Sequence, residues 1–147
     1  MSVEVREAAA EDIQQVLSIY KAAGLASRGQ LNTEEAMAVH AKMAQYPNYH
    51  VFVAEQDGEV VGTFALLIMD NLANGGVPSG IVEDVAVLPE LHGHGIGKAM
   101  MRFAMQRCRR DGCYKMMLSS NLIRTEAHRF YEALGFTRHG FSYRVDL

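Results

Sequence analysis

Residues Gly80 to Leu88, GIVEDVAVL, are apolar throughout except for Glu83 and Asp84. They run through Pro89-Glu90 into glycines at alternate positions, Gly93, Gly95 and Gly97, and then into a helical pattern. A strand with apolar residues on both faces must be covered on both faces, which makes it a central strand of a sheet with helices around it. The helix that follows carries Ile96, Met100, Met101, Phe103, Ala104 and Cys108 at helical spacing and stops at Gly112. A strand-turn-helix unit of this kind points to an α/β architecture.

The remaining segments fit around that unit. Val3 and Val5 alternate with Glu4 and Arg6 in an opening strand. A helix over Ala10–Ala23 places Ile13, Val16, Leu17 and Tyr20 on one stripe, with Glu11 and Asp12 at its positive end. Thr33 is expected to cap a second helix with Ala36, Val39, His40 and Met43 on its buried side, ended by Pro47. His50–Gln56 and Glu59–Met69 flank Asp57-Gly58, a strong hairpin signal. Beyond Gly112, Tyr114–Ser119 reads as a strand, Glu126–Leu134 as a helix and Phe136–Val145 as a closing strand, giving the order β-α-α-β-β-β-α-β-α-β. With 147 residues, 49% of them apolar, and no repeat or linker, the expectation is one domain over residues 1–147.

The same composition excludes several classes of function. A net charge of −3 offers no broad basic surface for nucleic acid. The longest apolar stretch, Val60–Met69, is about half of the roughly 20 residues a membrane span needs. The acidic opening MSVEVREAAAEDI lacks the apolar core of a secretory signal, so a cytoplasmic location is expected. Cys108 and Cys113 have no partners at metal-ligand spacing and would stay free in a reducing compartment; no metal is expected.

The alternate glycines could simply serve a tight turn. At a strand-to-helix junction they can also let the N–H groups of Gly93, His94, Gly95, Ile96, Gly97 and Lys98 converge on one anion at the positive end of the helix. Two familiar phosphate loops do not match. A Walker loop would need Gly at position 92, which is His, and a hydroxyl after Lys98, where Ala99 stands. A dinucleotide fingerprint would need Gly at position 98 on an early strand.

His92-x-x-Gly95-x-Gly97 after VEDVAV, followed downstream by AHRFYEALGF (residues 127–136), resembles the Gcn5-related N-acetyltransferase (GNAT) family. That family's signature is Gln/Arg-x-x-Gly-x-Gly/Ala, with Ala-x-x-Phe-Tyr-x-x-x-Gly-Phe later in the chain. His92 departs from the usual Gln or Arg, and Arg124 stands where many relatives carry an Asn facing pantetheine. The resemblance implies an acyl-CoA N-acyltransferase fold, a mixed sheet flanked by helices and splayed between its fourth and fifth strands. It implies acetyl-CoA as co-substrate, held by the backbone of Val85, Ala86 and Val87, by the loop from His92 to Lys98, and by Asn121 and Arg124. It implies a primary amine of a small molecule as acceptor, attacking directly in a ternary complex.

Under that resemblance Glu83 would draw a proton from the acceptor ammonium, directly or through water, and Tyr131 would protonate the leaving thiolate. Strand alternation sends Glu83 and Asp84 to opposite faces, so they are not expected to share a task; Asp84 would instead hold the acceptor's charge. Arg28, Ser119 and His128 are further candidates for contacting the acceptor. The segment Ser119-Ser120-Asn121 with Arg124 looks like aminoalkylphosphonate acetyltransferases, whereas Glu83-Asp84 looks like polyamine acetyltransferases. The alternating Phe141, Tyr143 and Val145 suggest that the closing strand completes a homodimer's sheet. Acetylation of a protein or peptide terminus and non-catalytic acetyl-CoA binding are the alternative readings.

Overall fold

The computed structural model describes residues 2–147. Backbone contacts group the chain into one compact unit up to Met117 and a second over Leu118–Leu147. The first holds β1 (Glu4–Glu7), α1 (Ile13–Ala22), α2 (Thr33–Met43), β2 (Tyr49–Gln56), β3 (Glu59–Met69), β4 (Ser79–Val87), α3 (Ile96–Arg110) and β5 (Met116–Met117). Its sheet has the order β1-β2-β3-β4-β5, antiparallel except for the β4–β5 pair. The β2–β3 turn has positive φ at both Asp57 (53°) and Gly58 (80°), the conformation whose twist matches a two-residue hairpin.

Successive residues of β2 feed opposite faces of the sheet. Val51 and Val53 join Ala8 and Val16 in a core that Tyr20, Met43 and Val60 extend. Between them Phe52 stacks on Phe64 and meets Phe103 of α3 at a tilt, each at 5.2 Å between ring centres. Arg6 of β1 clamps the chain ahead of α1, reaching Asp12 at 2.7 Å and Glu55 at 2.9 Å. Asp12, expected only to complement a helix end, is buried, and its bonds to Arg6 hold its carboxyl below the usual range.

Glycine permits the close packing of α3. A Cβ on Gly62 would meet Met100 Sδ at 2.9 Å, and one on Gly80 would meet Cys108 Sγ at 2.5 Å. Gly80→Ala is expected to destabilise the fold by about 1–3 kcal/mol through overpacking, measured by chemical denaturation; a midpoint unchanged from the parent would show that the helix can retreat without cost.

Three local expectations differ from the structure. Asn32, not Thr33, caps α2: its Oδ1 accepts the Glu35 N–H at 2.8 Å while Glu35 Oε1 accepts the Asn32 N–H at 3.1 Å. Of the expected α2 stripe only Ala36 is buried, and Val39 is 45% exposed. The strand expected over Tyr114–Ser119 shrinks to Met116–Met117, which pair with Gly80 and Ile81 alone. Beyond Ile81 the β4 edge on that side has no strand paired to it among the described residues.

The second unit contains α4 (Thr125–Ala133). No strand forms over residues 136–145. A strand needs a neighbour for its N–H and C=O groups, and this segment has no ladder of backbone hydrogen bonds to another strand among the described residues. Phe141, Tyr143, Val145 and Leu147 are instead exposed.

Candidate functional site

In the first unit the end of β4 and the start of α3 form one continuous feature. The register of β4 against β3 shifts between Thr63 and Ala65: Ala65 lies opposite Glu83 and Thr63 opposite Ala86, so Asp84 and Val85 together face Phe64. This is a β-bulge, and Asp84 occupies its left-handed position at φ +54°. Asp is among the few residues with a side chain that visit this region readily.

The bulge interrupts the simple alternation of β4 at Asp84. Both carboxylates are exposed, and both act on Tyr49, raising its phenol pKa after the effect of burial. Glu83 is itself shifted upward, first by burial and then by the charge of Asp84, while burial raises Asp84. Two adjacent carboxylates with raised pKa values mark this stretch of β4 as a candidate site.

Two tyrosines belong to this neighbourhood without any signal in the sequence, where both look like ordinary packing residues. Tyr20, on the last turn of α1, is pushed up to about 12 by burial and then by Asp84, with Thr63 opposing the rise. Thr63 in turn donates to the Phe52 carbonyl at 2.8 Å, which leaves its oxygen able to accept. Tyr49 carries the field of both carboxylates to β2.

Past Val87 a single turn of 3-10 helix, Pro89–Leu91, leads to the glycine loop. Gly93 and Gly95 both have φ of +83°, and a Cβ on either would meet no atom within 4 Å. Their glycines therefore serve backbone conformation, with open space above the loop. Helix α3 has no side-chain cap. The N–H groups of Gly95, Ile96, Gly97 and Lys98 at its first turn find no acceptor among the described residues, whereas the Ala99 N–H bonds the Gly95 carbonyl at 3.0 Å. A left-handed loop opening a fifteen-residue helix with uncapped donors is a fit for phosphate oxygens.

His92 does not project from this loop: its Nε2 donates to the Val87 carbonyl at 3.1 Å and ties the loop to the end of β4. The Leu88 N–H bonds Val61 on β3 at 3.0 Å. By antiparallel alternation the polar groups of Val87 point to the open edge of β4, and His92 takes one of them. Arg28 is exposed in the loop between α1 and α2.

In the second unit the chain before α4 is held by its own polar groups. Asn121 Oδ1 accepts the Ile123 N–H at 3.1 Å, and the Asn121 carbonyl accepts both the Arg124 N–H at 3.0 Å and His128 Nε2 at 2.8 Å. His128 thus braces the turn. Ser119 Oγ lies 3.4 Å from Ser142 Oγ, and the Ser120 hydroxyl oxygen is buried with no partner among the described residues. Tyr131 is buried between Phe130 and Phe136, with ring centres at 5.2 and 5.5 Å. Burial raises its phenol pKa, and the charge of Arg124 opposes that rise.

Among the described residues no cluster of three His, Cys, Asp or Glu could hold a metal ion, and no helix is long and apolar enough to cross a membrane. Comparison with known proteins gives concordant results. The chain is 38% identical over 97 residues to glucosamine 6-phosphate N-acetyltransferase of Trypanosoma brucei brucei, covering 66% of this chain and 64% of that protein. It is 33% identical over 97 residues to aminoalkylphosphonate N-acetyltransferase of Salmonella typhimurium, covering 66% of this chain and 62% of that one. The match thus spans less than two thirds of either relative. A solved structure from Agrobacterium tumefaciens superposes with a TM-score of 0.91 at 32% identity, covering 98% of this chain and 99% of that one. The model of the acetyltransferase (GNAT) family matches residues 13–136. The chain belongs to that family, and its fifth strand pairs parallel to the fourth.

Proposed function

We propose that residues 1–147 act as one domain that transfers an acetyl group from acetyl-CoA to the primary amine of a small molecule, by direct attack in a ternary complex. The observation that carries this reading is the uncapped first turn of α3 behind two left-handed glycines. It offers several backbone N–H groups to an anion without spending a basic side chain on it. Acetyl-CoA, when bound, supplies the acetyl group as an activated thioester. The loop from His92 to Lys98 would hold its phosphates, and Val85, Ala86 and Val87 its pantetheine arm, with His92 fixing the Val87 carbonyl. Asn121 and Arg124 are assigned to the same arm.

A primary amine is mostly protonated at neutral pH and must lose a proton before it attacks. Glu83 takes that proton, directly or through water. Its raised pKa makes it a better base than an ordinary carboxylate, and Asp84 next to it attracts the ammonium. Tyr131, protonated at neutral pH, gives its proton to the departing sulfur. Ser119, His128 and Arg28 are assigned to the acceptor. The named substrates of both curated relatives pair an amine with a phosphate or phosphonate, and Arg28 or Arg124 would suit such an anion.

A panel of glucosamine 6-phosphate, an aminoalkylphosphonate, a polyamine and peptides with free N-termini, assayed for release of free CoA, tests the reading. Turnover on a small amine is expected; turnover on peptides alone, or CoA binding with no turnover, would overturn it. Activity should fall as pH drops through the raised pKa of Glu83, hence at a higher pH than for an ordinary carboxylate. Glu83→Gln should remove that limb of the profile and lower turnover by about 100-fold. A profile that keeps the limb would assign the base elsewhere.

A homodimer and a cytoplasmic location complete the proposal. The exposed alternation of Phe141, Tyr143, Val145 and Leu147 supports the dimer, since these side chains have the spacing of a strand face. Light scattering is expected to give twice the 16.3 kDa chain mass, and a monomer at all concentrations would remove this part.

A further inference from the structure

Helices α3 and α4 end in the same way. In α4 the Phe136 N–H bonds the Tyr131 carbonyl at 3.1 Å, the Gly135 N–H bonds Glu132 at 3.0 Å, and Gly135 has φ +97°. In α3 the Cys113 N–H bonds the Cys108 carbonyl at 2.9 Å, the Gly112 N–H bonds Arg109 at 3.1 Å, and Gly112 has φ +76°. This ending folds the residue after the glycine back over the one five positions earlier, a geometry that frequently packs their side chains together. In α4 those side chains are the rings of Phe136 and Tyr131, 5.5 Å apart. In α3 they are two thiols.

The environments of the two sulfurs differ. Cys108 is buried, its Sγ seated in the space that a Cβ on Gly80 would take. Cys113 is partly exposed, and both thiols are free. We propose that Cys108 and Cys113 are a site of reversible oxidation, closing into an intramolecular disulfide when the protein meets a peroxide. The Cys113 sulfur attacks the peroxide and becomes a sulfenic acid, with release of water from hydrogen peroxide. The Cys108 sulfur then displaces the sulfenic oxygen as a second water, forming the S–S bond. Two thiols and one peroxide give one disulfide and two waters.

Burial pushes the Cys108 thiol up to about 12, with Cys113 adding to the rise, and burial raises that of Cys113 as well. Both therefore stay protonated at neutral pH, and the first step runs more slowly than on an exposed cysteine. The bond pins the chain just ahead of the rungs where β5 meets β4: the Tyr114 N–H bonds the Pro78 carbonyl at 3.1 Å and the Gly80 N–H bonds Lys115 at 2.9 Å. It would form whether or not the chain transfers acetyl groups.

The test is to treat the reduced full chain with excess hydrogen peroxide, denature it in N-ethylmaleimide and weigh it intact, then map its peptides. The expected product has lost two hydrogens, takes up no maleimide at either cysteine and regains both sites after dithiothreitol. In Cys113→Ser, Cys108 should still take up maleimide after the same treatment. The proposal is overturned if Cys113 proceeds to a sulfinic acid while Cys108 remains alkylatable. It is equally overturned if both cysteines remain alkylatable, or if the disulfide joins two chains.

Discussion

Replacing Gly95 by valine is expected to lower the affinity for CoA by at least ~100-fold while the protein still folds. At φ +83° and ψ 4° a glycine loses nothing, whereas a β-branched residue there is a steric outlier. Apart from the two chain neighbours, no atom lies within 4 Å of the added Cβ, so the Cβ itself meets open space. The effect comes from the chain leaving the left-handed region, which costs about 1–2 kcal/mol if the old conformation is kept. Leaving it turns the N–H groups of Ile96 and Gly97 away from their common focus. Hydrogen bonds to a charged group contribute roughly 1.5–3 kcal/mol each, so the loss of two accounts for the expected change. Calorimetric titration with CoA measures it, and thermal unfolding of the same sample checks the fold. Retained affinity in a folded variant would sink the phosphate-cradle assignment.

Tyr131→Phe should reduce turnover by ~10²-fold or more and leave CoA binding within about twofold, because only the acid is removed. The ring's place is secured by the backbone ending of α4 and by contacts with Phe130 and Phe136, none of which needs the hydroxyl. Phenylalanine therefore keeps the packing, and a fall in turnover reports chemistry. Steady-state kinetics with the best acceptor from the amine panel gives the result; unchanged turnover would assign the proton to another donor.

The helix endings and the hairpin were legible in the chain because single residues dictate them. Gly112, Gly135 and Asp57-Gly58 each take the positive φ that their positions require. The cap of α2 was misplaced at Thr33, although Asn32 and Glu35 have the three-residue spacing of a reciprocal cap. The bulge at Asp84 was not legible. Its register depends on how β3 pairs, and an aspartate in an apolar run carries no mark of a left-handed backbone. With the bulge unseen, the influence of the two carboxylates on Tyr20 and Tyr49 was unseen too, because it depends on how the fold places α1 and β2 around the sheet. The strand expected over Phe136–Val145 failed for a related reason. Alternation shows that a segment could be a strand, while pairing depends on an available neighbour.

The two rungs joining β4 to β5 also have a thermodynamic meaning. A parallel seam of two residue pairs adds little cooperativity, so it can open well below the free energy of global unfolding. A ligand that binds only the closed arrangement adds RT ln(1 + [L]/Kd), about 2.7 kcal/mol at a hundredfold excess over Kd. The unfolding temperature of this chain should therefore rise with the concentration of its ligand, which makes thermal shift a screen for what the protein binds before any turnover is known.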